Sequence, residues 1–387
     1  MSHPLPSETG VVIIGAGVAG AATAWALARA RGGPGLLLEQ EAAPGMHASG
    51  RNAAIAHQLE HDAVILTLAG RAMRHLRALD AGRGELLSSV GGLMLAGQAN
   101  EESIAVIHQR MREAGLHSEL IAPVKARPRF GCLDFVAFET ALWCPSDGVL
   151  DVHALLSRYL DDAKAGGFSV HTGCRVDDLL IEGGRVRGVR VADRTIRADV
   201  VVDASGAWAG CLGRAATRLP LRPLRRHLFV TGPLSFVDRT WPPTWAIEPE
   251  YYFRPESGGL LLSPCDEADA EPGVPPTDPE AATRLAEKLA AGAPALADVT
   301  IRRGWACLRT FAADRRPVIG PDPDLPGLFH VGALGGFGMT TSAAVGELAA
   351  TLLTRGHPAW IDPDIVAPSR LRLNGTNPRA VSDRSAR

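Results

Sequence analysis

The chain has 387 residues, 46% of them apolar and 21% charged, with a formal net charge of −2. That length supports a large core and about two domains, and the composition is that of an ordinary globular protein rather than a disordered or fibrous one. The near-zero charge gives no basis for a nucleic-acid or acidic-membrane partner, and no apolar run is long enough for an integral membrane segment.

The first stretch, Val11–Glu41, carries the strongest pattern. Val11–Ile14 is a short apolar run that reads as a buried parallel strand. Gly15, Gly17 and Gly20 follow in the spacing G-x-G-x-x-G, helix formers continue to about Arg29, and Leu36–Leu38 is a second buried strand ending at Glu39. A plain βαβ unit has glycines too, but here strand, glycines, helix, strand and acid agree on dinucleotide binding. Gly15 permits the tight turn, Gly17 lets a pyrophosphate approach the backbone, and Gly20 lets helix and strand pack closely. Val18 and Ala19 open the helix, whose free N–H groups and positive dipole end suit phosphate. Glu39, beside Gln40, lies where an acid can accept ribose hydroxyls.

Residues 41–50 read as a loop, and Arg51–Ala54 as the opening of a helix. Val64–Leu79 has helical spacing, Gly91–Leu95 reads as a strand and Glu101–Ala114 as a helix. Residues 121–147 read as loops and short strands. Gly148–Ala165 contains an amphipathic helix capped near Asp151. Strands are then expected at Ser169–Cys174, Val176–Ile181, Val186–Val191 after a Gly183–Gly184 turn, Thr195–Arg197 and Asp199–Val202. The small residues of the following DASGAWAG stretch suggest backbone packed closely against a ligand.

Residues 219–310 look β-rich, with strands at Leu228–Thr231, Tyr251–Arg254 and Leu260–Ser263, a loop over Asp266–Asp278 and a helix over Glu280–Ala291. Strands at Arg315–Gly320 and Leu328–Ala333 lead to Gly335, Gly336 and Gly338 before a helix over Thr341–Leu353. A helix N-terminus stabilises negative charge, so this second Gly-rich turn suits an electron-accepting ring. The tail from 373 to 387 is expected to be disordered.

The six cysteines form no C-x-x-C pair and no Cys/His metal spacing, so reduced thiols and no metal are expected. The first ten residues lack a secretory pattern, and a cytoplasmic location is expected, with peripheral association at the inner membrane as the alternative. Lysine occurs only at Lys125, Lys164 and Lys288.

The segments GAGVAG (15–20), HASGRNAA (47–54), GVLDVHAL (148–155), VVDASGAWA (201–209), CLRTFAADRRPVIG (307–320) and GALGGFGMTTSAAVGE (332–347) occur in that order over nearly the whole chain. In this the chain resembles the FAD-dependent D-amino-acid oxidase and sarcosine oxidase superfamily. Within it, His47–Ala54, Tyr252–Pro255, Trp305–Phe311 and Gly335–Glu347 resemble the D-arginine dehydrogenases.

The resemblance implies an α/β fold: a split, Rossmann-like FAD-binding domain of glutathione-reductase type (1–80, 148–218, 312–372) and an α+β substrate domain built on an antiparallel sheet (81–147, 219–311). It implies FAD contacts at Ser49, Gly50, Arg51, Asn52, Ala53 and Ala54; at Val176, Ala204, Gly206 and Trp208; and at Gly336, Phe337, Gly338, Met339 and Thr340. Arg309 corresponds to an arginine that grips the substrate carboxylate before the flavin, a task suited to its planar fork. Tyr252 corresponds to a tyrosine on the same carboxylate, Arg226 is a further cationic candidate, and His47 either acts near the flavin or merely packs beside it.

The implied chemistry is hydride transfer from the substrate Cα to flavin N5, giving an imine that hydrolyses to a keto acid and ammonia. The implied partners are a small amino-acid substrate and an electron acceptor, a quinone or carrier ahead of oxygen. Three departures matter. Ala56 stands where the D-arginine dehydrogenases have tyrosine, and Gly92 where they have a substrate-binding glutamate, so a neutral or apolar D-amino acid is expected; Glu60 is the acid that could take over. No lysine occupies Leu260–Leu262, where sarcosine oxidases activate oxygen. Cys307 matches a covalent flavin attachment point, but packing under a non-covalent FAD is the favoured reading. The alternatives are an oxidase of secondary or N-methyl amino acids and a flavin-binding subunit with no turnover of its own.

Overall fold

The computed structural model describes residues 5–31, 33–80, 84–212, 219–354 and 356–372; the expected disordered tail lies outside them. Five parallel strands form its first sheet, in the spatial order Phe168–His171, Gly35–Leu38, Glu8–Ile14, Arg194–Asp203, Leu328–Gly332. In chain order that is 3-2-1-4-5, a doubly wound arrangement that reverses between Glu8–Ile14 and Arg194–Asp203. Antiparallel strands Arg185–Val191, Asp178–Glu182 and Val318–Pro321 extend it. The central strands are apolar throughout because helices and hairpins cover both faces: Val11, Ile13 and Leu37 pack on the helix side, and Val12, Leu36 and Leu38 on the other.

The helix Val18–Arg31 packs against Gly338–Thr354 and Val152–Ala165. Close approach is possible because Gly346 faces Ala22, where a Cβ would meet the Ala22 carbonyl oxygen at 2.3 Å. Tyr159 reaches across to bond Ser342 at 3.0 Å and lays its ring against Trp25. Asp151 caps Val152–Ala165 by accepting the Ala154 amide, as its sequence position suggests. No helix among the described residues is long and apolar enough to cross a membrane.

A second sheet of nine strands runs from Ala268–Asp269 through Arg222–Thr231, Gly259–Ser263, Tyr251–Glu256, Thr244–Ala246, Gly92–Ala96 and Thr140–Cys144 to Glu119–Ile121, with Ile301–Phe311 paired to Arg222–Thr231. It is antiparallel apart from one parallel pair, Thr244–Ala246 with Gly92–Ala96. The helix Pro279–Gly292 covers part of it through Ala281, Leu285 and Leu289.

Several sequence expectations change. Arg51–Ala54 does not open a helix. The Arg51 and Ala53 carbonyls accept from Trp305 Nε1 (2.9 Å) and Arg254 Nε (2.6 Å), and Ala54 has a positive φ of 57°, so the segment is pinned to the second sheet before a short strand, Ile55–Ala56. Thr195–Arg197 and Asp199–Val202 are one strand, Arg194–Asp203, because one end pairs with Arg185–Val191 while the rest pairs with Glu8–Ile14. The strand expected from Arg315 begins only at Val318, after a turn closed by the Arg315 amide on the Ala312 carbonyl. The last helix starts at Gly338 rather than Thr341.

Candidate active site

The carboxyl ends of Glu8–Ile14 and Arg194–Asp203 lie side by side where the strand order reverses, the place where an open α/β sheet leaves a crevice. Gly15 turns out of the sheet at φ +97°, and a Cβ there would sit 2.6 Å from the Ala204 carbonyl oxygen. A Cβ on Gly20 would lie 1.9 Å from the Gly15 oxygen. These two glycines therefore serve backbone packing, whereas Gly17 meets only the Ser49 hydroxyl, at 3.2 Å, and leaves the turn open to the crevice. The helix Val18–Arg31 directs its N-terminus here, and the Val18 amide donates to Ser49 Oγ at 2.8 Å. Glu39 accepts the Ala16 amide at 2.8 Å and the Glu41 amide at 3.0 Å, so it braces the same turn.

One continuous cleft runs from this turn to the second sheet. Gly15, Gly17, Val18, Ala19, Glu39, Gln40, Ser49, Arg51, Asn52, Ala53 and Ala54 line it, as do Val176, Ala204, Gly206, Trp208, Gly335, Gly336, Gly338 and Met339, together with His47, Tyr252, Cys307 and Arg309. Gly20, Gly50, Arg226, Phe337 and Thr340 are not part of the lining. Thr340 accepts the His57 amide, and the Phe337 ring packs against the His57 ring at a tilt of 36°. His47 belongs to the glycine-turn half: its Nε2 lies 2.9 Å from Glu41 Oε1 and its ring meets Trp208 edge-on. Among the described residues no hydrogen bond, ion pair or ring contact joins it to Arg309, Arg226 or Tyr252.

Strand register builds the other half. Directly opposed residues of paired strands share a face. Arg226 opposes Cys307 and Leu224 opposes Arg309, so Arg226, Cys307 and Arg309 project from one face. Tyr252 opposes Trp245, and both join Leu228, Cys265 and Cys307 in one cluster. Arg226 is buried, donates to the Asp266 carbonyl and pairs with Glu267 at 3.1 Å, but its Nη1 has no partner. The Tyr252 hydroxyl, beside Ser263, makes no well-formed hydrogen bond. The Arg309 guanidinium has no carboxylate partner among the described residues; burial and the Arg226 charge pull its pKa down. Burial pushes the Cys307 thiol up. Two guanidiniums, an idle phenol and one shared acid make this corner ready for a carboxylate.

Sequence reasoning passed over His57 and Trp245, both in the cleft wall. His57 continues the alternation of Ile55–Ala56, which was the available signal; Trp245 sits in a three-residue strand too short to carry a pattern. Glu60 does not line the cleft. It folds back to accept the His61 and Asp62 amides at 2.7 and 3.3 Å.

The residues present suit a dinucleotide of FAD size: an open glycine turn at a helix N-terminus, a second Gly-rich helix start at Gly335–Gly338, and the cleft between them. Comparison with known proteins agrees. The chain is 25% identical over 380 residues to human mitochondrial sarcosine dehydrogenase (92% of this chain, 41% of that protein). It is 24% identical over 384 residues to the mouse mitochondrial pyruvate dehydrogenase phosphatase regulatory subunit (92% and 43%). It thus spans less than half the length of these two relatives. The fold matches the crystal structure of L-proline dehydrogenase from P. horikoshii with a TM-score of 0.86 at 24% identity, covering 95% of this chain and 98% of that one. The profile of the family "FAD dependent oxidoreductase" (DAO) matches residues 10–352, and the chain belongs to that family.

Proposed function

We propose that the protein dehydrogenates the Cα–N bond of an amino acid with a neutral or apolar side chain, a D-amino acid in the first reading. The observation that carries this is Arg309, a guanidinium in the cleft wall with no carboxylate partner among the described residues, beside the idle groups of Arg226 and Tyr252. In this proposal residues 1–80, 148–218 and 312–372 form the FAD-binding domain, and 81–147 and 219–311 the substrate domain.

Arg309 takes the carboxylate bidentately and the Tyr252 hydroxyl donates to it, with Arg226 adding positive potential from behind. That grip fixes Cα, and most of the acceleration comes from positioning rather than from a side-chain base. Arg309 also disfavours an ammonium in the site, so the substrate reacts as the free amine, whose lone pair drives hydride loss from Cα. FAD, when bound, supplies the two-electron acceptor. The substrate nitrogen gives up a proton to solvent, and water then converts the imino acid to keto acid and ammonia.

The flavin is held without a covalent bond, because Cys307 is buried and kept as a thiol. A quinone or protein carrier is the electron acceptor, with oxygen the alternative. A cytoplasmic location belongs to the same proposal, with peripheral association at the inner membrane as the alternative.

Two further readings have a specific source. The sarcosine dehydrogenase relative favours a secondary or N-methyl amino acid. The relative named as a regulatory subunit favours a flavin-binding subunit without turnover. Anaerobic mixing of the FAD-loaded protein with D-, L- and N-methyl amino acids decides among them. Bleaching by a D-amino acid supports the first reading, and bleaching by sarcosine or proline alone replaces it with the second. A flavin that no amine reduces leaves the third.

A further inference from the structure

Four rings stand in file beside Arg309. Tyr252 and Trp245 face each other across paired strands with ring centres 5.4 Å apart; Trp245 meets His57 at 5.8 Å, and His57 meets Phe337 at 4.6 Å. Tyr252, Trp245 and His57 line the cleft, and Phe337 backs His57. His57 is fixed through the backbone. Its amide donates to Thr340 Oγ1 at 3.2 Å, and the Gln58 amide donates to Asp147 Oδ1 at 3.0 Å. No side chain among the described residues bonds the imidazole nitrogens.

The cleft wall in the same region presents no anion, because Glu267 is outside the lining and is paired with Arg226 and Arg315. Among the described residues of the cleft wall the one carboxylate is Glu39, engaged at the glycine turn. Asp147 fills the space that a side chain at position 92 would take, 2.7 Å from a Cβ on Gly92, but it is buried and bonded to Gln58.

We propose that His57 is a specificity-determining residue: flanked by Trp245 and backed by Phe337, it forms with Trp245 an aromatic wall that receives the side chain of an amino acid held at Arg309, selecting uncharged, ring-bearing side chains over cationic ones. This rests on the carboxylate-binding reading of Arg309. Flat side chains gain most because ring-on-ring packing rewards matched faces. A cation over an aromatic face would ordinarily be attracted, but here Arg309, with no carboxylate partner among the described residues, supplies a field of the same sign. His57 itself reports that field. Burial, with the Arg309 guanidinium beside it, pushes its pKa down to about 4. A guanidinium or ammonium placed against the ring would meet the same desolvation and the same repulsion, with no acid to offset them.

The test compares kcat/KM for phenylalanine, leucine and arginine of the productive hand in the FAD-loaded wild type and in His57→Glu, His57→Leu and His57→Phe. The wild type should favour phenylalanine over arginine at least tenfold. His57→Glu should move that ratio at least tenfold toward arginine, His57→Leu should lower phenylalanine relative to leucine, and His57→Phe should keep the wild-type order. Titration of the oxidised flavin spectrum with benzoate and acetate gives a readout without turnover; the preference for benzoate should fall at least tenfold in His57→Leu. Wild-type preference for arginine, or variants that scale every substrate and both carboxylates alike, would overturn the proposal. Should no amino acid reduce the flavin, the dehydrogenase reading fails, and the benzoate-to-acetate ratio still decides on the wall.

Discussion

Arg226 and Arg309 stand diagonally on one face of two paired strands, Arg226 buried and Arg309 at the cleft wall, and the charge of Arg226 helps hold the Arg309 pKa below its ordinary value. Glu267 pairs with Arg226 but not with Arg309, so an anion bound at Arg309 relieves the remaining like-charge repulsion. Arg309→Lys keeps one charge but loses the fork, so kcat/KM for the amino-acid substrate should fall by about two orders of magnitude or more, mostly through KM. Benzoate should lose its perturbation of the flavin spectrum in parallel. Near-normal kinetics in this variant would remove the carboxylate site from Arg309.

Glu39 accepts two backbone amides that shape the glycine turn, and its position also suits ribose hydroxyls. Glu39→Ala should weaken FAD retention by about 1.5–3 kcal/mol, the usual worth of hydrogen bonds to a charged group. Equilibrium dialysis of FAD against wild type and variant measures it. Undiminished affinity would reduce Glu39 to a brace of the turn.

Cys307 lies in the cleft wall with its thiol pushed up by burial, so little thiolate is present to attack a flavin. Acid or heat precipitation should release all the FAD into the supernatant, and Cys307→Ser should bind it as well as wild type does. Flavin fluorescence that stays with the denatured band on a gel would show a covalent link.

No lysine lines the cleft among the described residues. Lys288 is committed elsewhere, donating to the Glu250 and Pro264 carbonyls at 2.8 and 2.6 Å. Without an ammonium beside the flavin, reoxidation by air should be slow, and phenazine dyes should sustain turnover far faster. Rapid, stoichiometric peroxide formation with substrate would contradict this.

His330 is buried between Asp203 and Asp322, which raise its pKa to about 9 against the opposing effect of burial. A histidine raised from an ordinary 6.5 adds stability that is complete below that value and is lost as pH climbs through about 9. The contribution is about 3 kcal/mol at its fullest. Urea unfolding at a series of pH values should show stability falling between 6.5 and 9, and His330→Gln should be weaker at the acid end with a flatter profile. A wild-type profile that is already flat would mean that His330 is neutral in the fold.

The first βαβ unit was legible because each of its residues answers a local demand: Gly15 and Gly20 relieve backbone collisions, and Val11–Ile14 are buried on both faces. The Arg309 corner was legible only through resemblance. Its grouping depends on the register of Arg222–Thr231 against Ile301–Phe311, and long-range pairing leaves no periodic trace in either strand. Arg51–Ala54 misled for the same reason, since its backbone partners, Trp305 and Arg254, are some two hundred or more residues away. His57 was overlooked because its neighbours Trp245 and Phe337 both lie far along the sequence from it.

The cleft joins residues from Ile14 to Met339, and the strand Leu328–Gly332 completes the parallel strands of the sheet that Glu8–Ile14 begins. A ribosome working at about 5–20 residues per second delivers those two ends roughly a quarter to one minute apart. Until the last helix emerges, the glycine turn has neither its opposite wall nor the helix that packs on Val18–Arg31. Flavin is therefore captured after synthesis has passed the final strand, and a nascent chain arrested before Gly335 should leave the ribosome colourless.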